Sequence, residues 1–202
     1  VVFEGGRELE LDAVSEVPRY YVCNAYGVCG IYSAPGTAVK EAYDTSGIVT
    51  NDRGVTVWLK GNRVSRNQIM AIKEESVTEQ KNSLAVCLDN ILRHAGITRN
   101  TEYDLAQGKT ATTILSENMT GVQVLDLSGC TLDAVLYYVN QDIPVLAILE
   151  DGEAVLVTGF NEFNVVIMEP ATGKLYKKGM NDATAWFAEN GNHFITYMRI
   201  EN

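Results

Sequence analysis

Residues 151–170, DGEAVLVTGFNEFNVVIMEP, read as two apolar strands joined by a polar turn. The runs AVLVTGF and NVVIM are short, rich in β-branched residues and separated by Asn161, Glu162 and Phe163, which is how strands buried in a sheet look rather than helices. A carboxylate flanks each end of the pair: Glu153 precedes the first strand and Glu169 follows the second.

Working outward, IPVLAIL (143–149) and GKLYKKG (173–179) predict further strands, DATAWFAEN (182–190) a helix and HFITYMRI (193–200) a last strand. Upstream the period changes. Leu84, Leu88, Ile91, Leu92 and Ala95 recur at helical spacing, with Asn82 or Ser83 to cap the start and Gly96 to end it. A second helix is expected over about 103–118, then a strand at GVQVLDL (121–127), then a third helix with Leu132, Val135, Leu136 and Val139 on one face. Helices first and an antiparallel sheet afterwards predict an α+β domain over 80–202.

Residues 62–79, NRVSRNQIMAIKEESVTE, are polar and charged and read as a connector. Before it, RYYVCNA and GVCGIYS form a hairpin about Tyr26-Gly27, TAVKEAYDTSG a short helix with Pro35 at its first turn, and SGIVTN and GVTVWLKG a second hairpin about residues 51–54. That is a small β-β-α-β-β unit over 18–61, too small to bury a good core alone and expected to lean on the rest. Its aromatics Tyr20, Tyr21, Tyr26, Tyr32, Tyr43 and Trp58 read as its core rather than as a ligand platform. Residues 1–17 read as a linker or an edge strand, and the missing initiator Met suggests a piece of a longer chain.

The 202 residues, 46% of them apolar, suffice for one core. With 16 basic against 26 acidic residues the net charge is -10, which opposes nucleic acid and anionic membrane as partners. No apolar run is long enough to span a bilayer, and no phosphate-binding glycine motif occurs, so no cofactor is expected. The four cysteines, at 23, 29, 87 and 130, lack CxxC spacing and have only His94 and His193 for company, so no metal is expected either. Cys23 and Cys29 flank a hairpin turn within disulfide reach, but two small packed cysteines is the plainer reading.

Cys87 lies in the first turns of its helix, where unpaired N–H groups and the helix dipole favour a thiolate, and also beside an apolar stripe that would bury it. Both readings stay open. Cys130, near the start of another helix, reads as a packed residue.

The segment EQKNSLAVCLDNILRHAGI (79–97), followed by GEAVLVTGFN and MEPATGK, resembles the bacteriocin-processing, or double-glycine, cysteine peptidases and their relatives. The resemblance covers about residues 77–200 and implies a papain-like fold. It puts Cys87 at the nucleophile position, Gln80 near the oxyanion position, Glu153 where the base histidine belongs and Glu169 where the aspartate that orients it belongs. A histidine would take the thiol proton and stabilise the thiolate; a carboxylate near Cys87 would raise its pKa instead. His94 is two turns along the same helix and too far to help, which leaves His193 as the alternative base.

The resemblance thus implies a catalytically degenerate peptidase-like domain of a secreted or cell-surface protein from a Gram-positive bacterium, binding a peptide or partner segment. Two alternatives stand beside it: an active cysteine peptidase or acyl transferase using Cys87 with a non-standard base, and a structural spacer.

Overall fold

The computed structural model describes residues 17–61 and 82–200, together with the backbone of two short strands, β1 (Phe3–Glu4) and β2 (Arg7–Glu8), which pair antiparallel. The rest of the expected linker, the whole 62–79 connector and Gln80 lie outside the described residues.

The small unit is β3 (Tyr20–Cys23), β4 (Cys29–Tyr32), α1 (Pro35–Thr45), β5 (Ile48–Asn51) and β6 (Thr56–Leu59), with its strands in the antiparallel order β4-β3-β5-β6. Period-two alternation decides its faces: Tyr20, Val22, Val49 and Val57 are buried toward α1, whereas Ile31 and Ile48 point outward. Cys23 faces Cys29 across the β3–β4 ladder, and the two form a disulfide. The expectation of two separate packed cysteines is therefore corrected: an in-register antiparallel pair brings the two Cα atoms to 4.1 Å, and Cys29 is exposed rather than packed.

The larger unit runs α2 (Ser83–His94), α3 (Glu102–Ala106), α4 (Ala111–Asn118), β7 (Val122–Asp126), α5 (Leu132–Val139), β8 (Val145–Ile148), β9 (Ala154–Phe160), β10 (Asn164–Met168), β11 (Leu175–Gly179), α6 (Met180–Glu189) and β12 (His193–Arg199). Its six strands are ordered β11-β10-β9-β8-β12-β7, all antiparallel, so β8 to β11 form a meander and β12 returns to lie between β8 and β7. All seven residues of β9 are buried, with α2 and α5 both packed on it, which is why this segment carries no alternation in sequence.

The single helix expected over 103–118 is two. Gly108, at φ 81°, closes α3 in the left-handed region with its N–H on the Leu105 carbonyl, and Thr110 restarts the helix by accepting the Thr113 N–H.

The small unit shares one hydrophobic core with the larger. Trp58 Nε1 donates to the Ala134 carbonyl at 3.0 Å, Tyr138 Oη donates to the Val57 carbonyl at 3.0 Å, and Gln123 links Asn51 to Tyr20. Gly36 brings α1 against the end of β7 so closely that a Cβ would meet the Ser128 carbonyl oxygen at 2.9 Å. Of the aromatics in the small unit, Tyr20 and Trp58 are buried in this core, while Tyr26 is 93% exposed.

Candidate functional site

The start of α2 lies against the start of β9. Asn82 caps the helix: its Oδ1 accepts from the N–H of Leu84 at 2.9 Å and of Ala85 at 3.3 Å, and its carbonyl accepts from Val86. Most of the free N–H groups with which a helix N-terminus could hold an anion are thereby taken by a neutral side chain. Ser83, the first helical residue, has its Oγ 2.9 Å from the N–H of Ala154, from which it accepts. That bond ties the helix start to the first residue of β9, directly after Glu153.

Cys87 is the fifth residue of α2, one turn beyond Ser83 on the same face, and has no solvent exposure. Burial pushes its thiol well above the ordinary value, and the charge of Glu153 pushes it further in the same direction. The expected effect of the carboxylate is present but second to burial. No histidine acts on this thiol among the described residues.

The remaining carboxylate and histidine stand at the same end of the sheet. Glu153 is exposed and held in its turn by backbone bonds, its N–H on Asp151 Oδ1 at 3.0 Å and its carbonyl accepting from Leu149 at 2.7 Å. Glu169 follows β10, whose Met168 faces Leu156 of β9; its Oε2 accepts from Thr172 Oγ1 at 2.8 Å, which ties the carboxylate into its own turn. His193 opens β12 opposite Ile148, which itself faces Ala154 on the other side. Two strand spacings put its backbone roughly 10 Å from that of Ala154. His94 is engaged elsewhere, its Nε2 2.8 Å from the Asp142 carbonyl oxygen.

Cys130 is buried, with its Sγ on the Gly36 carbonyl at 3.3 Å and its pKa pushed up to about 12, chiefly by burial. It packs the helix–helix junction, in keeping with the sequence reading. Among the described residues no three His, Cys, Asp or Glu side chains stand close enough to hold a metal.

A cysteine protease needs a partly exposed thiol beside an imidazole, and Cys87 has neither exposure nor imidazole. Ser83 is partly exposed, and its oxygen accepts a backbone hydrogen bond. The sequence reading gave Ser83 only a capping role, because cysteine is the chemically conspicuous residue of the segment. The capping pair Asn82-Ser83 sets the helix start four residues before Cys87.

The fold is that of papain-like peptidases. It matches the crystal structure of a Bacillus anthracis protein assigned as C39-like peptidase, at a TM-score of 0.56 and 12% sequence identity, over 68% of this chain and 100% of that one. No protein-family model and no curated protein matches the sequence.

Proposed function

We propose that this chain is a peptidase fold without peptidase chemistry, serving to bind a peptide or a partner's extended segment. The observation that carries the reading is the Ser83–Ala154 bond at the α2–β9 junction, where the papain-like fold keeps its reacting groups. In this reading Ser83 stands at the nucleophile position, Glu153 in place of the base and Glu169 in place of its orienter, while Cys87 is a core residue. The surface that remains at this end of the sheet offers exposed carboxylates and turn backbone, which suits recognition of an extended, basic segment. The Cys23–Cys29 disulfide supports an oxidising setting, such as the cell surface of a bacterium or the medium around it.

The test has two arms. A fluorogenic peptide library is expected to show no turnover by the wild type; turnover abolished by Cys87→Ala or Ser83→Ala would make the chain an enzyme instead. A displayed random 12-mer library is expected to yield basic binders that Ser83→Trp, which fills the junction, no longer retains. Recovery of no binder, or of binders indifferent to Ser83→Trp, would overturn the binding role.

A further inference from the structure

At the end of the larger sheet opposite the α2–β9 junction, a cavity of about 390 Å³ opens between the C-terminal ends of α2 and α4, the start of β7 and the end of β12. His193 begins β12 at the junction end, and the length of the strand, about 20 Å, separates Arg199 from it. The floor is one face of β12: Tyr197 and Arg199 stand two residues apart on the same side of the strand, in register with Val124 and Val122 of β7. Ile97, just past α2, and Met119, just past α4, wall the space with apolar surface. Gly121 lies at the rim, where its carbonyl accepts the Ile200 N–H at 3.0 Å.

The polar groups of the floor are a pair of donors. Tyr197 is 2% exposed, yet its Oη meets no hydrogen-bond partner among the described residues. Burial pushes the hydroxyl above its ordinary pKa, and the Arg199 guanidinium pulls it back only in part, so at neutral pH it keeps its proton and offers it. A buried hydroxyl without a partner costs free energy that an acceptor placed in the cavity recovers. Arg199 is exposed at the mouth, within electrostatic reach of that hydroxyl, and its planar fork of N–H groups matches the two oxygens of a carboxylate. Apolar walls with a few convergent polar groups are how small-molecule sites are built, and the volume lies in their usual range. A cavity near 150 Å³ holds about six heavy atoms, so this one has room for roughly fifteen.

We propose that the cavity between Ile97, Met119, Tyr197 and Arg199 binds a small carboxylate with an apolar body. The carboxylate oxygens lie against the Arg199 guanidinium and the Tyr197 hydroxyl, and the hydrocarbon lies against Ile97, Met119 and Val122. An inorganic anion would leave the apolar walls unused, and a plain hydrocarbon would leave the Tyr197 hydroxyl unpaired. The shared chemistry occurs both in free short-chain acids and at the end of a peptide whose last side chain is apolar. The net charge of -10 opposes any anion at long range, so the contact with Arg199 supplies the preference for the charged form.

The test is a titration of the intact, isotope-labelled chain followed through the Gly121 and Ile97 amide resonances, with the Trp186 indole as the internal control for folding. The probes are hexanoate, N-acetyl-alanyl-leucine as its free acid, and hexanamide, which is neutral and of the same shape as hexanoate. Hexanoate is expected to shift both amides saturably, with about tenfold weaker binding in Arg199→Gln, an intermediate loss in Arg199→Lys, which keeps the charge without the fork, and about fivefold weaker binding in Tyr197→Phe. Without ligand, Tyr197→Phe is expected to melt no lower than the wild type, because it removes a hydroxyl that the protein leaves unpartnered. Saturation by the dipeptide acid assigns the site to peptide C-termini, and saturation by hexanoate alone assigns it to free acids. The proposal falls if hexanamide saturates the site as well as hexanoate does, if Arg199→Gln binds hexanoate as the wild type does, if Tyr197→Phe melts lower yet binds unchanged, or if neither carboxylate saturates.

Discussion

Alkylation of Cys87 by iodoacetamide tests the reading of the α2–β9 junction directly. At pH 8 an accessible thiol with the ordinary value of 9.0 is about one-tenth thiolate and reacts accordingly. Cys87 has no accessible surface, so it reacts only when α2 lifts from β9, which also uncovers Leu88, Ile91 and Leu92. An opening of that size costs about as much as unfolding a marginal domain, ~5 kcal/mol, and slows labelling about four thousandfold relative to the denatured chain. Mass spectrometry of tryptic peptides after timed alkylation gives the rate, and low urea is expected to accelerate it. Glu153→Gln is expected to change the rate by less than tenfold, because burial and not the carboxylate is the larger cause of the raised pKa. The same shift links to stability. A thiol whose pKa is higher folded than unfolded contributes fully below about pH 9 and loses that contribution as the pH rises further, by at most about 1.4 kcal/mol per pH unit per group. Cys130 and Tyr138 act in the same sense, so the melting temperature is expected to hold to pH 9 and fall beyond it. Labelling of native Cys87 at the rate of the denatured chain, with an apparent pKa below 8.5, would refute the reasoning.

Other consequences are as concrete. Ser83→Cys introduces a thiol at the solvent-reachable junction, expected to alkylate at least a hundredfold faster than Cys87 in the same molecule by the burial difference alone; equal rates would mean that the helix start is closed. Gly36→Ala gains helix propensity of up to about 1 kcal/mol but drives a Cβ onto the Ser128 carbonyl, so a net loss of about 1–3 kcal/mol is expected in urea unfolding, and stabilisation would show that α1 and β7 can part without cost. Reduction of Cys23–Cys29, which closes a six-residue separation, is expected to lower stability by about 2 kcal/mol; a change below a few tenths would show that the hairpin is held by its ladder alone.

Much of the fold was legible because local patterns decided it. The apolar runs of β9 and β10, the 3.6-residue stripe of α2 and the turn residues at 26–27 and 51–54 each had one consistent reading, and the strands and helices stand where those patterns put them. The break at Gly108 was legible only in hindsight, since one glycine inside an otherwise helical stretch is tolerated as often as it ends a helix. The candidate site was harder. Glu153 and Glu169 could be placed at the open ends of their strands from the hairpin alone, but the residue that meets them depends on where α2 begins against β9.

Sequence by itself determined most of the secondary structure, the α+β class and the conspicuous residues, since these follow from periodicity and composition within a few turns of chain. Tertiary structure decided which of those residues share a place: that Cys23 lies in register with Cys29, that Ser83 accepts the Ala154 N–H, and that Tyr43, Trp58, Asp133 and Tyr137, distant in sequence, line one cavity. Such pairings depend on strand register and helix docking, which are set by the burial of the whole core and written in no single segment.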